Sequence, residues 1–260
     1  MDEKTLKAAL HDLPLGGLRF YPQVGSTNDL ALAWATNSAP DLSLVIADEQ
    51  TSGRGRSGRA WHSSAGSSLT FSLILHPDKS EAESASLFVG LGALALVETL
   101  DKSFGLQAEI KWPNDILLQD RKLAGILVES VWLGDALESI VMGIGVNVLA
   151  ASVPPAEKID FPAISLEEML HHPPDRLNLL HDFLTSLLEW RPRLGEAAFV
   201  QAWEERLAYR GKQVQVWSGA ETSQVGTLLG LASDGSLHLL LADGRSLQVN
   251  FGDVRLRPAM

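Results

Sequence analysis

Near Gly211 the chain changes its pattern, and that change limits the available folds more than any other feature. Before this point, long apolar-periodic segments alternate with strand-like runs. From there to Met260 only short alternating or apolar runs occur, punctuated by the hairpin dipeptides Asp234-Gly235 and Asp243-Gly244. Roughly fifty residues of this kind predict a small β barrel. The reading is an α+β fold, with a mixed domain over residues 1–209 and an all-β domain over 210–260. With 260 residues, 45% of them hydrophobic, the chain can bury a core in both.

Within the first part, strand-like runs fall at Leu42 to Ala47, Leu69 to Leu75, Ile116 to Leu118, Leu123 to Val131 and Ser139 to Val148. Ser80 and Glu83 have capping-box spacing before a helix that ends near Gly105. Ser165 and Glu168 repeat the device before a short helix that must stop ahead of Pro173. Helical patterning resumes from Arg176 to Trp190 and from Glu196 to Tyr209.

Composition narrows the function. The net charge of −11 disfavours a general nucleic-acid binder, which needs a basic face. With no cysteine there are no disulfides, thiolate metal sites or cysteine nucleophiles. Met1 to His11 has no apolar run that reads as a signal peptide, and Leu87 to Leu100, broken by Gly90, Gly92 and Glu98, is too short to span a bilayer. A soluble cytoplasmic protein that uses neither membrane nor nucleic acid is the expectation.

Against this acidic background, Gly53-Arg54-Gly55-Arg56-Ser57-Gly58-Arg59 stands out. Its glycines allow close backbone approach and positive φ, and its arginines offer forked donors for phosphate or carboxylate. The segment matches G-x-G-x-x-G, but that fingerprint must open a helix, and Ala60 to Gly66 is not helical in pattern. A lone run of this kind reads as a solvated loop. With little apolar surface and three like charges, it is expected to be mobile without ligand. Four further segments stand beside it. In Lys111-Trp112-Pro113-Asn114-Asp115, Pro113 restrains Trp112. Lys122 opens an apolar strand that contains Gly125, and Gly143-Ile144-Gly145-Val146-Asn147 places two glycines in another. Gly125 suggests close approach of another backbone or of a ligand, and the glycine pair suggests space kept for a ligand. Ser26-Thr27-Asn28 precedes an amphipathic segment, where the plain reading of Ser26 is a helix N-cap.

Taken in order, Gln50 to Trp61, Lys111 to Asp115, Lys122 to Glu129 and Gly143 to Asn147 resemble the four signature blocks of the biotin protein ligases. The resemblance implies a mixed-sheet catalytic domain backed by helices, followed by an SH3-like β barrel. It places biotin against Ser26, Thr27, Asn28 and Gln50. Gly53, Arg54, Gly55, Arg56 and Arg59 then form the loop over biotin and its adenylate. Lys122 contacts the biotin carboxylate and the phosphate. Trp61, Asn114, Gly125 and Asn147 line the pockets, and Lys122, Arg56 and Asp115 carry the chemistry. The implied substrates are biotin and ATP with Mg²⁺, and the implied partner is the biotin carboxyl carrier protein domain of a carboxylase. Which groups hold the metal is left open, as is the choice between monomer and homodimer. The segment ahead of Ser26, about twenty residues, is too short for a helix-turn-helix module, so repressor activity is not expected.

The residue types suit the implied reaction. A carboxylate must meet a triphosphate, so cations are needed. The resulting mixed anhydride must be kept from water, which suits a covering loop. The amine nucleophile comes from the carrier, and Asp115 is expected to attract or help deprotonate it. The rivals are a lipoate or octanoate ligase of related fold and a non-catalytic biotin-binding regulator.

Overall fold

The computed structural model describes every residue except 156, 158, 160, 219–221, 251–253 and 260. The elements run in the order α1 (Glu3–Ala9), β1 (Gly17–Val24), α2 (Thr27–Ala35), β2 (Ser43–Gln50), β3 (Ser68–Leu75), α3 (Lys79–Glu83) and α4 (Phe88–Phe104). Then come β4 (Glu109–Lys111), β5 (Asp115–Leu118), β6 (Arg121–Leu133), β7 (Ala136–Asn147), α5 (Leu166–Leu170), α6 (Arg176–Trp190) and α7 (Ala197–Glu205). The chain closes with β8 (Gln213–Ser218), β9 (Thr222–Leu231), β10 (Leu237–Leu241), β11 (Ser246–Val249) and β12 (Val254–Pro258).

Seven strands form a mixed sheet in the order β1-β2-β3-β7-β6-β5-β4, in which only β1 and β2 are parallel. The last five form a separate antiparallel sheet, β11-β10-β9-β8-β12. This is the expected α+β architecture, with the small SH3-like domain at the C-terminus. Gly235 and Gly244 take positive φ at the two expected hairpin dipeptides. No helix among the described residues is long and apolar enough to cross a membrane.

Strand alternation decides what each face of the large sheet does. Leu69, Phe71, Leu73 and Leu75 of β3, with Ile140, Met142, Ile144 and Val146 of β7, join α4, α6 and α7 in the main core. The intervening residues point to the other face. There Ile74 and Val141 pack with Ala31 and Ala35 of α2, while Thr70, Ser72, Gly143, Gly145 and Asn147 are left along the rest of the face. That strip is where the candidate site lies.

The sequence reading names neither α1, β1 nor β4, and two further details differ from it. The capping box before the first long helical segment is Asp78 with Glu81, not Ser80 with Glu83. The helix it opens stops at Ser84 before α4 begins at Phe88. Ser26 does occupy an N-cap position, but its side chain makes no cap hydrogen bond. By contrast, Ser165 caps α5 through Glu168 N, and α4 ends on left-handed Gly105.

The two sheets meet beside the Trp112 segment. The Trp112 indole, buried in the core, donates to Gly235 O at 3.0 Å, and Ser86 donates to Asp234 O at 2.8 Å. The Trp112–Pro113 peptide is cis.

Candidate active site

Thirteen of the fifteen candidate residues line one cleft of about 660 Å³ on the α2 face of the large sheet: Ser26, Thr27, Asn28, Gln50, Arg54, Gly55, Arg56, Arg59, Trp61, Asn114, Asp115, Lys122 and Gly125. The other two lie beside it. Asn147 lines an adjoining cavity of about 430 Å³. Gly53 lines neither; it lets the loop pass behind Trp61, whose carbonyl oxygen would lie 2.6 Å from any Cβ there.

One end of the cleft is a hydrogen-bonded wall. Gln50 Oε1 accepts from Thr27 N at 2.7 Å and from the Thr27 hydroxyl at 3.1 Å. Its amide NH₂ makes no hydrogen bond among the described residues. Ser72 donates to Asn28 Oδ1 at 2.6 Å, and Asn28 Nδ2 donates to Glu129 Oε2 at 2.7 Å. Thr27, Asn28 and Ser72 are all buried, so this polar chain is held in a dry setting. Ser72 was not among the candidates. Its even-numbered place in the alternating β3 segment was the available signal.

The floor explains the glycines. Gly125 and Gly145 are paired in register across β6 and β7, and Leu127 pairs with Gly143. A Cβ on Gly145 would fall 2.7 Å from Trp61 Nε1, and one on Gly143 would collide with the Asn28 amide. The space inferred for a ligand is therefore taken by two side chains that shape the ligand's walls. Trp61 Nε1 is buried without a hydrogen-bond partner among the described residues.

The other end is a charge cluster. Lys111 and Asp115 are cross-strand partners on β4 and β5, and Lys122 follows the tight β5–β6 turn. Asp115 Oδ1 lies 2.5 Å from Lys122 Nζ, and its Oδ2 lies 3.3 Å from Lys111 Nζ. Burial alone would raise the Asp115 pKa, but the Coulombic pull of Lys122 and Lys111 outweighs it and holds the carboxyl at about 2. Burial lowers Lys111 to about 8, against the opposing pull of Asp115. Lys111 also stands over the Phe161 ring at 4.2 Å. Lys111, part of a motif but not a candidate site residue, is buried, whereas a strand-end lysine ordinarily reads as solvated.

The glycine-rich loop is a small hairpin. Gly55 N donates to Arg59 O at 2.7 Å, Trp61 N donates to Gly53 O at 2.8 Å, and Arg54 bridges Ala60. Ser57 and Gly58 take positive φ at its tip. The premise of three uncompensated charges needs correction, because Arg54 pairs with Glu129 and Asp29. Arg56 Nη1 donates to Asn114 Oδ1 at 3.3 Å, and Arg59 Nε donates to Arg56 O at 3.1 Å.

Lys122, Ala60 and Trp61 line both the cleft and the adjoining cavity. Asn147 ties the second cavity to the first, donating from Nδ2 to Ile164 O at 3.2 Å and to Lys122 O at 3.4 Å. Lys122 thus stands at the junction of two chambers, the cleft, whose far end is the neutral hydrogen-bonding wall, and the cavity bounded by Trp61, Phe161 and Asn147.

Among known proteins, the model of the biotin/lipoate A/B protein ligase family matches residues 20–147. The biotin–[acetyl-CoA-carboxylase] ligase of Paracoccus denitrificans is 34% identical over 230 residues, spanning 84% of this chain and 94% of that protein. The bifunctional ligase/repressor BirA of Bacillus spizizenii is 36% identical over 185 residues, 71% of this chain and 57% of that one. The chain spans about half the length of the BirA relatives from the two Bacillus species. The biotin protein ligase of Aquifex aeolicus, solved in complex with biotin and ATP, superposes with a TM-score of 0.79 at 28% identity, covering 94% of this chain and 99% of that one. With its four motifs converging on one cleft, and with the Paracoccus denitrificans ligase matched over nearly its whole length, the chain belongs to the biotin/lipoate A/B protein ligase family and, within it, to the biotin protein ligases.

Proposed function

We propose that this protein activates biotin with ATP to biotinyl-5′-AMP and transfers the biotin to a lysine of a biotin carboxyl carrier protein domain. The observation that carries this reading is the position of Lys122, a cation between two chambers and steadied by Asp115. The neutral wall of Thr27, Asn28 and Gln50 suits a ureido ring, to which the Gln50 NH₂ is available to donate. The unpartnered Trp61 Nε1 is a donor of the kind a bound ligand completes. The chamber beside Trp61, Phe161 and Asn147 suits the nucleotide.

In the first step a biotin carboxylate oxygen attacks the α-phosphorus of ATP, and the bond to pyrophosphate breaks. Lys122 lowers the repulsion between the two anions, and Arg56 and Arg59 add positive potential at the cleft. In the second step the neutral carrier amine attacks the acyl carbon, the bond to the phosphate oxygen breaks, AMP leaves as its anion and the proton from the amine passes to solvent. A carboxylate held at about 2 is a poor proton acceptor, so Asp115 attracts the incoming amine and positions Lys122 rather than taking a proton. Among the described residues no three metal-ligating side chains converge. Magnesium bound to the phosphates of ATP would lower their charge as the carboxylate approaches.

We assign the catalytic work to residues 1–209 and treat 210–260 as the accompanying small domain. Beyond Gly125 no described strand pairs with β6 on the side away from β7, and Trp132 and Leu133 are exposed at its end. This free edge next to the cleft is a suitable dock for the carrier, and a homodimer would compete for it. A reaction that consumes ATP and modifies a carboxylase suits a cytoplasmic setting. The test is to incubate the protein with labelled biotin, ATP-Mg²⁺ and a carrier domain, with lipoate and octanoate in parallel. Covalent label from biotin alone is expected. Label from lipoate or octanoate instead, or no label, would refute the reading.

A further inference from the structure

Arg54 makes a contact that the chemistry above does not use. Its Nη1 and Nη2 donate to the two oxygens of Glu129 at 2.9 and 2.7 Å, a bidentate fork. Nη2 also lies 2.8 Å from Asp29 Oδ1. The Glu129 Oε2 that receives Arg54 also accepts from Nδ2 of buried Asn28 at 2.7 Å. One carboxylate on β6 is therefore shared by the wall of the cleft and the root of the loop that covers it. Asp29 comes from the first turn of α2, where the helix N-terminus favours a carboxylate. Most exposed ion pairs hold little, because two flexible chains must be fixed for a screened attraction. Here the pairing is bidentate, two carboxylates face one guanidinium, and one of the oxygens is fixed by a buried amide. Hydrogen bonding to Glu129 keeps Arg54 protonated more firmly than usual.

We propose that Glu129, with Asp29 as a second anchor, is a positioning residue that clamps the root of the Gly53–Arg59 loop to the cleft wall, and that this clamp sets how long an acyl-adenylate stays enclosed. The retention half of the proposal rests on the function proposed above; the clamp itself does not. Arg54 is thereby assigned to anchoring the loop rather than to the substrate's phosphates.

Hydrogen exchange of the ligand-free protein tests the clamp directly. The reporters are the Gly55 and Trp61 amides, which close the loop hairpin, with β7 amides as the control for global stability. Glu129→Gln keeps an acceptor for Asn28 but removes the charge. It should speed exchange of both reporters about tenfold, the loss expected for a charge-assisted hydrogen bond, and leave β7 unchanged. Asp29→Asn, on the surface, should give a smaller increase in the same amides. If Glu129→Gln also loosens β7, the Asp29→Asn result decides. Unchanged loop exchange in both folded variants, or in Asp29→Asn where it decides, would overturn the clamp.

Retention is read with labelled biotin and ATP. Dissociation of the enclosed adenylate should speed about tenfold in Glu129→Gln and by a smaller factor in Asp29→Asn; in Asp29→Asn, whose residue does not line the cleft, single-turnover formation of the adenylate should stay within about twofold of the parent, a split that general loss of structure would not produce. Parental dissociation would overturn the retention half. If the parent itself forms no adenylate, the proposed function fails, and loop exchange still decides the clamp.

Discussion

Gly125 and Gly145 face each other across β6 and β7, and the indole of Trp61 lies against both. A Cβ at Gly125 would lie 3.3 Å from the nearest Trp61 atom, whereas one at Gly145 would overlap three atoms of the indole. The two glycines are therefore not equally tolerant, although the sequence presents them alike.

Gly145→Ala is expected to push Trp61 out of place, at a cost of about 1–3 kcal/mol for overpacking, and to weaken biotin binding at least tenfold. Gly125→Ala, facing the more adaptable Lys122 chain, should be milder on both counts. Calorimetric titration with biotin alongside a thermal scan checks this. Equal and small effects at both positions would show that Trp61 does not form the wall.

Lys122→Gln removes the cation between the chambers and leaves Asp115 with Lys111. Adenylation should fall by about a hundredfold, near 3 kcal/mol, as when a single electrostatic donor is lost from other active sites. Pyrophosphate release with biotin and ATP is the measurement. Unchanged release would remove Lys122 from the catalytic set.

Lys111 supplies a pH dependence with two opposite signs. Below about pH 8 both lysines share Asp115; above it Lys111 is neutral and Asp115 falls wholly to Lys122. Adenylation without carrier should therefore decline as pH rises through about 8, and Lys111→Gln should abolish that decline. Stability runs the other way. The folded state holds this proton less tightly than the unfolded chain, whose lysine titrates near 10.5, so the group favours folding increasingly from about pH 8 to 10.5. Thermal scans over the same range separate loss of chemistry from loss of fold. A flat parental rate profile would show that Lys111 does not govern Lys122.

Arg56→Gly removes the contact to Asn114 and adds freedom near the loop tip, while leaving the Arg54 anchor intact. Losing a charge-assisted contact worth about 1.5–3 kcal/mol should speed escape of biotinyl-AMP about ten- to a hundredfold. The variant is expected to consume biotin and ATP still, and to label an unrelated added protein that the parent leaves alone. Active adenylation with no extra labelling of that protein would exclude Arg56 from retention.

Much of this protein was legible in its sequence because the relevant physics is local. Alternation along Ser68–Leu75 and Ala136–Asn147 decides which side chains face α4 and which face the cleft. The Ser165 cap, the stop at Gly105 and the hairpin glycines are each determined within a few residues. The tertiary structure decided what depends on partners distant in the chain. The segment Asp78 to Glu83 contains two overlapping capping frames. The one formed uses Glu81, whose Oε1 also receives Arg191 Nε at 2.7 Å from 110 residues away. Arg54 reads as a free cation until β6 brings Glu129 to it across 75 residues. The sequence shows Lys111 only as the first residue of its motif, and its burial follows from Asp115, Phe161 and the core that enclose it. Periodicity specifies the face on which a side chain stands, but the charge it presents depends on burial and on the partners that folding brings to it.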